Sequence, residues 1–326
     1  MDEDLVALIV LTVVSVLLAT AIRIVAQRLW RRTPTVRLLG HVPEFAGAFR
    51  AWNDSDPDRF LDLARRAYEK VRLAAVRPRH RNALACAEAL LGAALHHVGR
   101  DEEAVTYLLP AREALRATKE RDAGYLEACY VLATHSLAWI ADLAGDHAEA
   151  VKLADEGLRR RVRNGDRRIV IQIYQEFVLV RANNLFKLGQ YEVAAQDVQQ
   201  CLRLARTSAE NDADDSVILA RALLAEIAVA TGNPVAALPY IEAAVAGARK
   251  PESPTLAEAL YIQAQVLAAL DRPADALLVV TESVELTRQL AEKLPARYSA
   301  ILADREAALA DLQASGTSSQ PGTLPQ

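Results

Sequence analysis

The chain has 326 residues, 52% of them hydrophobic and only 5% aromatic, with 13 glycines and a net charge of −4. That balance suits an α-rich protein, and an odd count of three cysteines without a Cys-x-x-Cys pair argues for reduced thiols rather than a disulfide framework. Charge is uneven: residues 23–81 carry 14 Lys and Arg against 6 Asp and Glu, whereas 82–326 carry 24 against 33, which disfavours nucleic acid as a partner of the longer, acidic part.

Residues 1–4 hold three acids and read as a short extracytoplasmic N-terminus. Residues 5–30 read as a transmembrane helix, because Leu5 to Ile22 is an eighteen-residue run without a charge. At about 1.5 Å per residue that run spans about 27 Å, close to the hydrocarbon thickness of a bilayer. Arg23 can snorkel to the head groups and Trp30 suits the interface. The acidic start Asp2, Glu3, Asp4 argues against a signal peptide, although Ala19-Thr20-Ala21 resembles a cleavage site. Arg23, Arg28, Arg31, Arg32 and Arg37 follow the segment and none precedes it. This predicts a single-pass protein of the cytoplasmic membrane with its N-terminus out and the remainder in the cytoplasm.

Residues 31–56, with Pro34, Gly40, Pro43 and Gly47, read as a juxtamembrane linker holding one short helix at Glu44 to Trp52. A repeat domain follows over 57–313. Its first helix, Asp58 to Val76, reads as a half repeat, with Phe60, Ala64 and Ala67 inward. Helix pairs are predicted at 79–98 with 101–118, 121–144 with 146–163, 166–188 with 190–207, 213–231 with 234–248, and 254–270 with 273–293. A helix Ala296 to Gln313 caps the array, and 314–326, without charges, reads as a disordered tail.

The pairs are recognised by a ruler of small residues. Ala182 lies seven residues before Gly189, Ala194 five after it and Cys201 twelve after it. The same offsets hold for Gly92, Gly99, Ala104, Ala111; for Ala138, Gly145, Ala150, Gly157; for Ala225, Gly232, Ala237, Ala244; and for Ala264, Asp271, Ala276, Ser283. Successive sets are 46, 44, 43 and 39 residues apart, in the range of stacked helical repeats. A residue that breaks the helix, with a small residue on either side, lets two antiparallel helices approach closely at their turn. No pair buries its apolar face alone, so neighbours must stack.

These offsets, best seen in LGAALHHVGRDEEAVTYLLPAREAL and RANNLFKLGQYEVAAQDVQQCL, resemble the tetratricopeptide repeat (TPR) family. Departures are the period, longer than the common 34 residues or so, the absence of a closing proline, and Arg181 and Gln263 where leucine is usual. The resemblance implies an all-α superhelical solenoid of about five pairs with flanking helices. With the N-terminal segment it resembles membrane-anchored bacterial TPR adaptors, without the paired Cys-x-x-Cys module that some of them carry.

Signatures of chemistry are missing. Cys86, Cys129 and Cys201 fall on separate helices, with Cys201 in a small-residue slot, so packing explains them. His41, His80, His96, His97, His135 and His147 form no metal motif, and Asn211 to Asp215 is explained as a helix N-terminal cap. No phosphate-binding glycine loop or Gly-x-Ser-x-Gly occurs, so no cofactor, metal or catalytic residue is expected. Two basic stretches stand out. Arg159, Arg160, Arg161, Arg163, Arg167 and Arg168 suit either a solvated helix C-terminus or an anionic partner, whether lipid head groups, an acidic protein surface or, weakest of the three, nucleic acid. Arg65, Arg66, Lys70, Arg72, Arg77, Arg79 and Arg81 could rest on anionic lipid.

One residue beyond the small row of each first helix stand Ala93, Trp139, Asn183, Glu226 and Gln265, about 100 degrees round. The resemblance implies that this row lines a concave groove, in which an asparagine such as Asn183 bonds a bound peptide. The lysine expected four residues earlier is Leu179 here. His135, Asp142, Glu176, Phe186 and Tyr261 are the expected neighbours. Together they point to an extended peptide or helix of basic character anchored at Trp139. The function expected is a scaffold or adaptor for a protein or peptide. The alternatives are a peptide-sensing regulator and an enzyme with an unrecognised site.

Overall fold

A computed structural model describes residues 33–53, 56–117, 123–160, 167–207, 215–248 and 253–318. Among them run fourteen α-helices and no strand: α1 Pro34–Gly40, α2 Pro43–Asn53, α3 Pro57–Ala74, α4 Arg81–His97, α5 Asp101–Arg116, α6 Ala123–Leu143, α7 His147–Arg159, α8 Arg167–Lys187, α9 Tyr191–Thr207, α10 Asp215–Ala230, α11 Pro234–Gly247, α12 Pro254–Ala269, α13 Pro273–Lys293 and α14 Pro295–Ser318. One 3₁₀ turn, Pro78–His80, separates α3 from α4.

The five ruler turns share one backbone solution. Gly99, Gly145, Gly189 and Gly232 sit at φ 74–78° and Asp271 at φ 57°, the left-handed region that glycine enters without a Cβ penalty and aspartate tolerates best among other residues. In each turn the left-handed residue donates to a carbonyl three residues back, at 2.9–3.1 Å. The next residue donates to one five back, at 2.8–3.0 Å, as Arg100 does to Leu95 and Gln190 to Leu185. The paired bonds satisfy the last carbonyls of the first helix, and the second helix starts at once. Asp146 and Asn233 then cap α7 and α11 by accepting from Glu149 and Ala236.

The small residues are where the helices touch. Ala104, Ala150, Ala194, Ala237 and Ala276 are fully buried, and so are Ala111, Cys201, Ala244 and Ser283. Within the paired helices, two positions leave no room for a Cβ without a shift: one on Gly92 would lie 2.5 Å from the Leu108 side chain, and one on Gly157 2.3 Å from the Phe177 ring. Ser283 holds its slot because its hydroxyl donates to the Ala257 carbonyl at 2.7 Å. Cys86, Cys129 and Cys201 are buried and form no disulfide among the described residues. Arg181 replaces an expected leucine for a different reason. Its guanidinium donates to both Asp197 oxygens at 2.7 Å and to Asp155 at 2.8 Å, tying α8 to α9 and α7.

The stretch read as a linker is part of the array. Phe45, Ala48 and Ala51 of α2 are buried in the same core as Phe60, Ala64 and Ala67 of α3. The Asp56 N–H donates to the Ala51 carbonyl at 3.0 Å, the outer bond of the ruler turns. So α2 and α3 make a sixth pair in place of a half repeat. At the other end α14 packs on α13 and continues to Ser318, past the expected end of the cap.

The expected membrane location is corrected. Among the described residues no helix is long and apolar enough to cross a membrane. The segment 5–30, which carried that expectation and the N-out, cytoplasmic topology with it, lies outside the described residues, as do 1–4 and 319–326.

Candidate functional site

The first helices of neighbouring pairs, α4, α6, α8, α10 and α12, pack on one another as well as on their own partners, so they form one continuous wall. The candidate residues of that wall fall into three groups.

In the first, Trp139 and His135 of α6 meet Glu176 of α8. The indole Nε1 donates to His135 Nε2 at 3.0 Å, and the same nitrogen is 3.6 Å from Glu176 Oε2. That nitrogen offers either one lone pair or one N–H, so it serves only one of these contacts at a time. His135 stands edge-on to Phe177 at 5.5 Å and to Trp139 at 6.3 Å. Burial works to raise the Glu176 carboxyl, but His135 and the Ser216 hydroxyl outweigh it and hold it below its ordinary value. Trp139 is half-buried, so one part of the indole stays open along the wall.

The second group is structural. Asp142, 5% exposed, accepts from Asn183 Nδ2 at 3.0 Å and from Lys187 Nζ at 2.7 Å, with His147 Nδ1 at 3.5 Å. His147 Nδ1 also lies 2.9 Å from Asn184 Oδ1. The asparagine expected to hold a peptide is thus engaged between α6 and α8, and Asp142 already has its cation.

In the third, Glu226 of α10 forms no hydrogen bond or ion pair among the described residues. Burial in the wall and the neighbouring Glu258 push its pKa up to about 8, with Lys187 opposing. Glu258 itself pairs with Arg305 of α14, which is nearly buried, bonds Thr287 and lies 5.2 Å over the Tyr261 ring. The cap helix therefore covers Tyr261. Gln265 is exposed, Ala93 is buried, and Phe186 packs 5.6 Å from Tyr191 beside its own turn, apart from the other groups.

Residues not singled out from sequence join the wall. His97 lies 5.6 Å from the Phe60 ring and 6.5 Å from Trp52. Burial and the adjacent His96 push its pKa down to about 4, although part of the ring meets water. His97 and Lys187 share one ruler slot, five residues after the small residue, and Glu176 and Glu258 share another, six before it. That register was the signal that could have found Lys187, His97 and Glu258. Arg305 lies outside the ruler and carried none.

Of the arginines 159–168, Arg159 is exposed. Arg160 is spent on Glu127 at 3.2 Å and lies 4.4 Å over the Tyr130 ring. Arg161 and Arg163, and the side chains of Arg167 and Arg168, lie outside the described residues. In the other basic stretch Arg66, Lys70 and Arg72 pair with Asp62, Glu44 and Glu69. Among the described residues no group of three His, Cys, Asp or Glu side chains could hold a metal ion.

No protein-family profile and no curated protein matches the chain in sequence. Its structure is similar to that of BtubC (BKLC) from P. vanneervenii, with a TM-score of 0.52 and 16% identity over 72% of this chain and 92% of that one. A protein of nearly identical TPR-like repeats from Podosopora anserina aligns at TM-score 0.46 and 16% identity, over 63% and 95% of the two chains. The turn geometry, the stacked pairs and the likeness to BtubC make the fold of this chain that of a TPR-like α-α solenoid.

Proposed function

We propose that the chain is a protein-interaction scaffold whose inner wall takes a peptide or helix of basic character, anchored on Trp139 and countered by Glu226. A TPR-like solenoid offers an extended surface and no preformed catalytic constellation, which favours binding over chemistry. The observation that carries the charge preference is Glu226. The other wall carboxylates Asp142, Glu176 and Glu258 have partners within the chain, and Glu226 has none among the described residues. A lysine or arginine from a partner would supply the missing cation and pull the carboxyl back to its charged form. Trp139 gives the aromatic contact area typical of a binding hot spot. Asn183, committed to Asp142, shapes the wall and does not hold the peptide directly.

The test is a random peptide library panned on the full chain, followed by fluorescence-anisotropy titration of the enriched peptides. Enriched sequences should carry Lys or Arg beside an apolar residue. Trp139→Ala and Glu226→Gln should each weaken binding at least tenfold, roughly the loss of one well-placed contact, while Glu149→Ala on the second helix α7 leaves it unchanged. Equal binding by the three folded variants would move the surface elsewhere, first to the arginines at 159–168. A second reading, a peptide-responsive regulator, is favoured by the approach of the first turn of α14 to the Gly99 turn between α4 and α5, distant in the chain.

A further inference from the structure

In a solenoid each pair touches its neighbours, so contacts between distant pairs are not required by the repeat. One such contact exists. A Cβ on Gly99, in the turn between α4 and α5, would lie 2.8 Å from the Ala296 carbonyl carbon and the Arg297 nitrogen and 3.0 Å from the Ala296 oxygen, all backbone atoms in the first turn of α14. The equivalent glycines of three other turns, Gly145, Gly189 and Gly232, meet nothing within 4 Å. The superhelix has thus come round far enough for its last helix to rest on its first full ruler pair.

Side chains continue the contact. Arg297 is 22% exposed, and its Nη1 is buried, makes no hydrogen bond and lies 4.0 Å from Asp101 Oδ2. The other Asp101 oxygen is 2.6 Å from Nδ1 of the buried His96. Burial lowers the His96 pKa, Asp101 opposes this, and Arg297 adds to the lowering, so α14 and the α4–α5 pair also meet electrostatically. The contact includes this close glycine approach and a loose ion pair, whereas successive pairs share continuous cores.

We propose that Gly99 and Arg297 form a latch that closes the solenoid on itself and gates entry to its inner wall. Closure narrows access to Trp139 and Glu226 from the side; opening admits a bulky partner. The importance of those residues rests on the function proposed above, whereas the latch is tested without any peptide.

The buried native cysteines permit selective labelling of engineered ones. Spin labels at Glu102→Cys and Ala300→Cys, both exposed positions near the contact, report its distance by double electron–electron resonance. Gln265→Cys, exposed on α12, reports access to the wall through its reaction with a small maleimide and with a polyethylene-glycol maleimide. The unmodified turn should give one short distance and slow labelling by the bulky reagent. Gly99→Ala should lengthen and broaden the distance and raise the bulky labelling rate several-fold, with the small reagent unaffected. Gly145→Ala, which adds a Cβ at the same backbone conformation in open space, should do neither. Arg297→Glu, which sets two acids against each other without touching the turn, should repeat the Gly99→Ala result and serves where that variant does not fold. A long distance in the parent, or labelling rates that are equal in the parent and both latch variants, would overturn the proposal. Loss of peptide binding with an intact latch would instead fault the function proposed for the wall.

Discussion

Gly157→Ala sets two opposed effects against each other at one atom. Gly157 lies inside α7, where alanine is favoured over glycine by about 1 kcal/mol of helix propensity. The added methyl would stand 2.3 Å from two carbons of the Phe177 ring and 2.6 Å from a third. That ring is 1% exposed and stands edge-on to His135 at 5.5 Å, so moving it would disturb the buried core around it. Overpacking of this kind costs about 1–3 kcal/mol, so after the propensity gain of about 1 kcal/mol the net expectation is a loss of up to about 2 kcal/mol. Equilibrium urea unfolding, followed by far-UV circular dichroism, would show the midpoint falling with little change in slope. Because Phe177 carries His135, the quantum yield and emission maximum of Trp139 should also move. A variant more stable than the parent would show that propensity wins and that the glycine slot is not a packing requirement.

Other expectations follow from the polar contacts. Arg181→Leu restores the residue usual in such repeats but leaves Asp197, 5% exposed, without its bidentate partner. It should destabilise the chain by about 2–4 kcal/mol, and adding Asp197→Ala should recover much of the loss, measured as a double-mutant cycle. Glu226 gives a pH signature. Its folded pKa of about 8 exceeds the ordinary glutamate value of 4.5, so between those values the folded chain binds more protons than the unfolded one and stability falls as pH rises. The contribution is complete below the unfolded pKa and lost once pH passes the folded one. Water reaching the carboxylate reduces the effect to about 1–2 kcal/mol. Glu226→Gln should flatten that part of the curve in urea titrations from acid to mildly alkaline pH, and an unchanged slope would place the carboxylate in open solvent.

The turns and helix contacts were legible because they are local. A glycine at one offset and small residues at fixed offsets around it encode both the left-handed turn and the close approach, and Gly99, Gly145, Gly189 and Gly232 all sit where the ruler puts them. The pair of α2 and α3 escaped notice because Phe60 stands where the other sets carry alanine, and because Pro34, Gly40, Pro43 and Gly47 suggest a linker. Those prolines in fact occupy the first positions of α1 and α2, where the missing N–H costs nothing. The site was legible as a row and not as a set of partners. Trp139, Asn183, Glu226 and Gln265 share a register, yet Asp142 takes Asn183 and Lys187 from 41 and 45 residues away, and no spacing within one repeat announces that choice.

The sequence by itself determined an all-helical array, its turns and the small residues at its helix contacts, since each depends on backbone conformation and side-chain size within a single pair. The tertiary structure alone decided which wall carboxylates are neutralised, leaving Glu226 without a partner among the described residues, and that α14 comes to rest on the Gly99 turn. Both depend on small rotations between successive pairs. They accumulate over roughly 200 residues of chain into the curvature of the superhelix, and no single repeat encodes that sum.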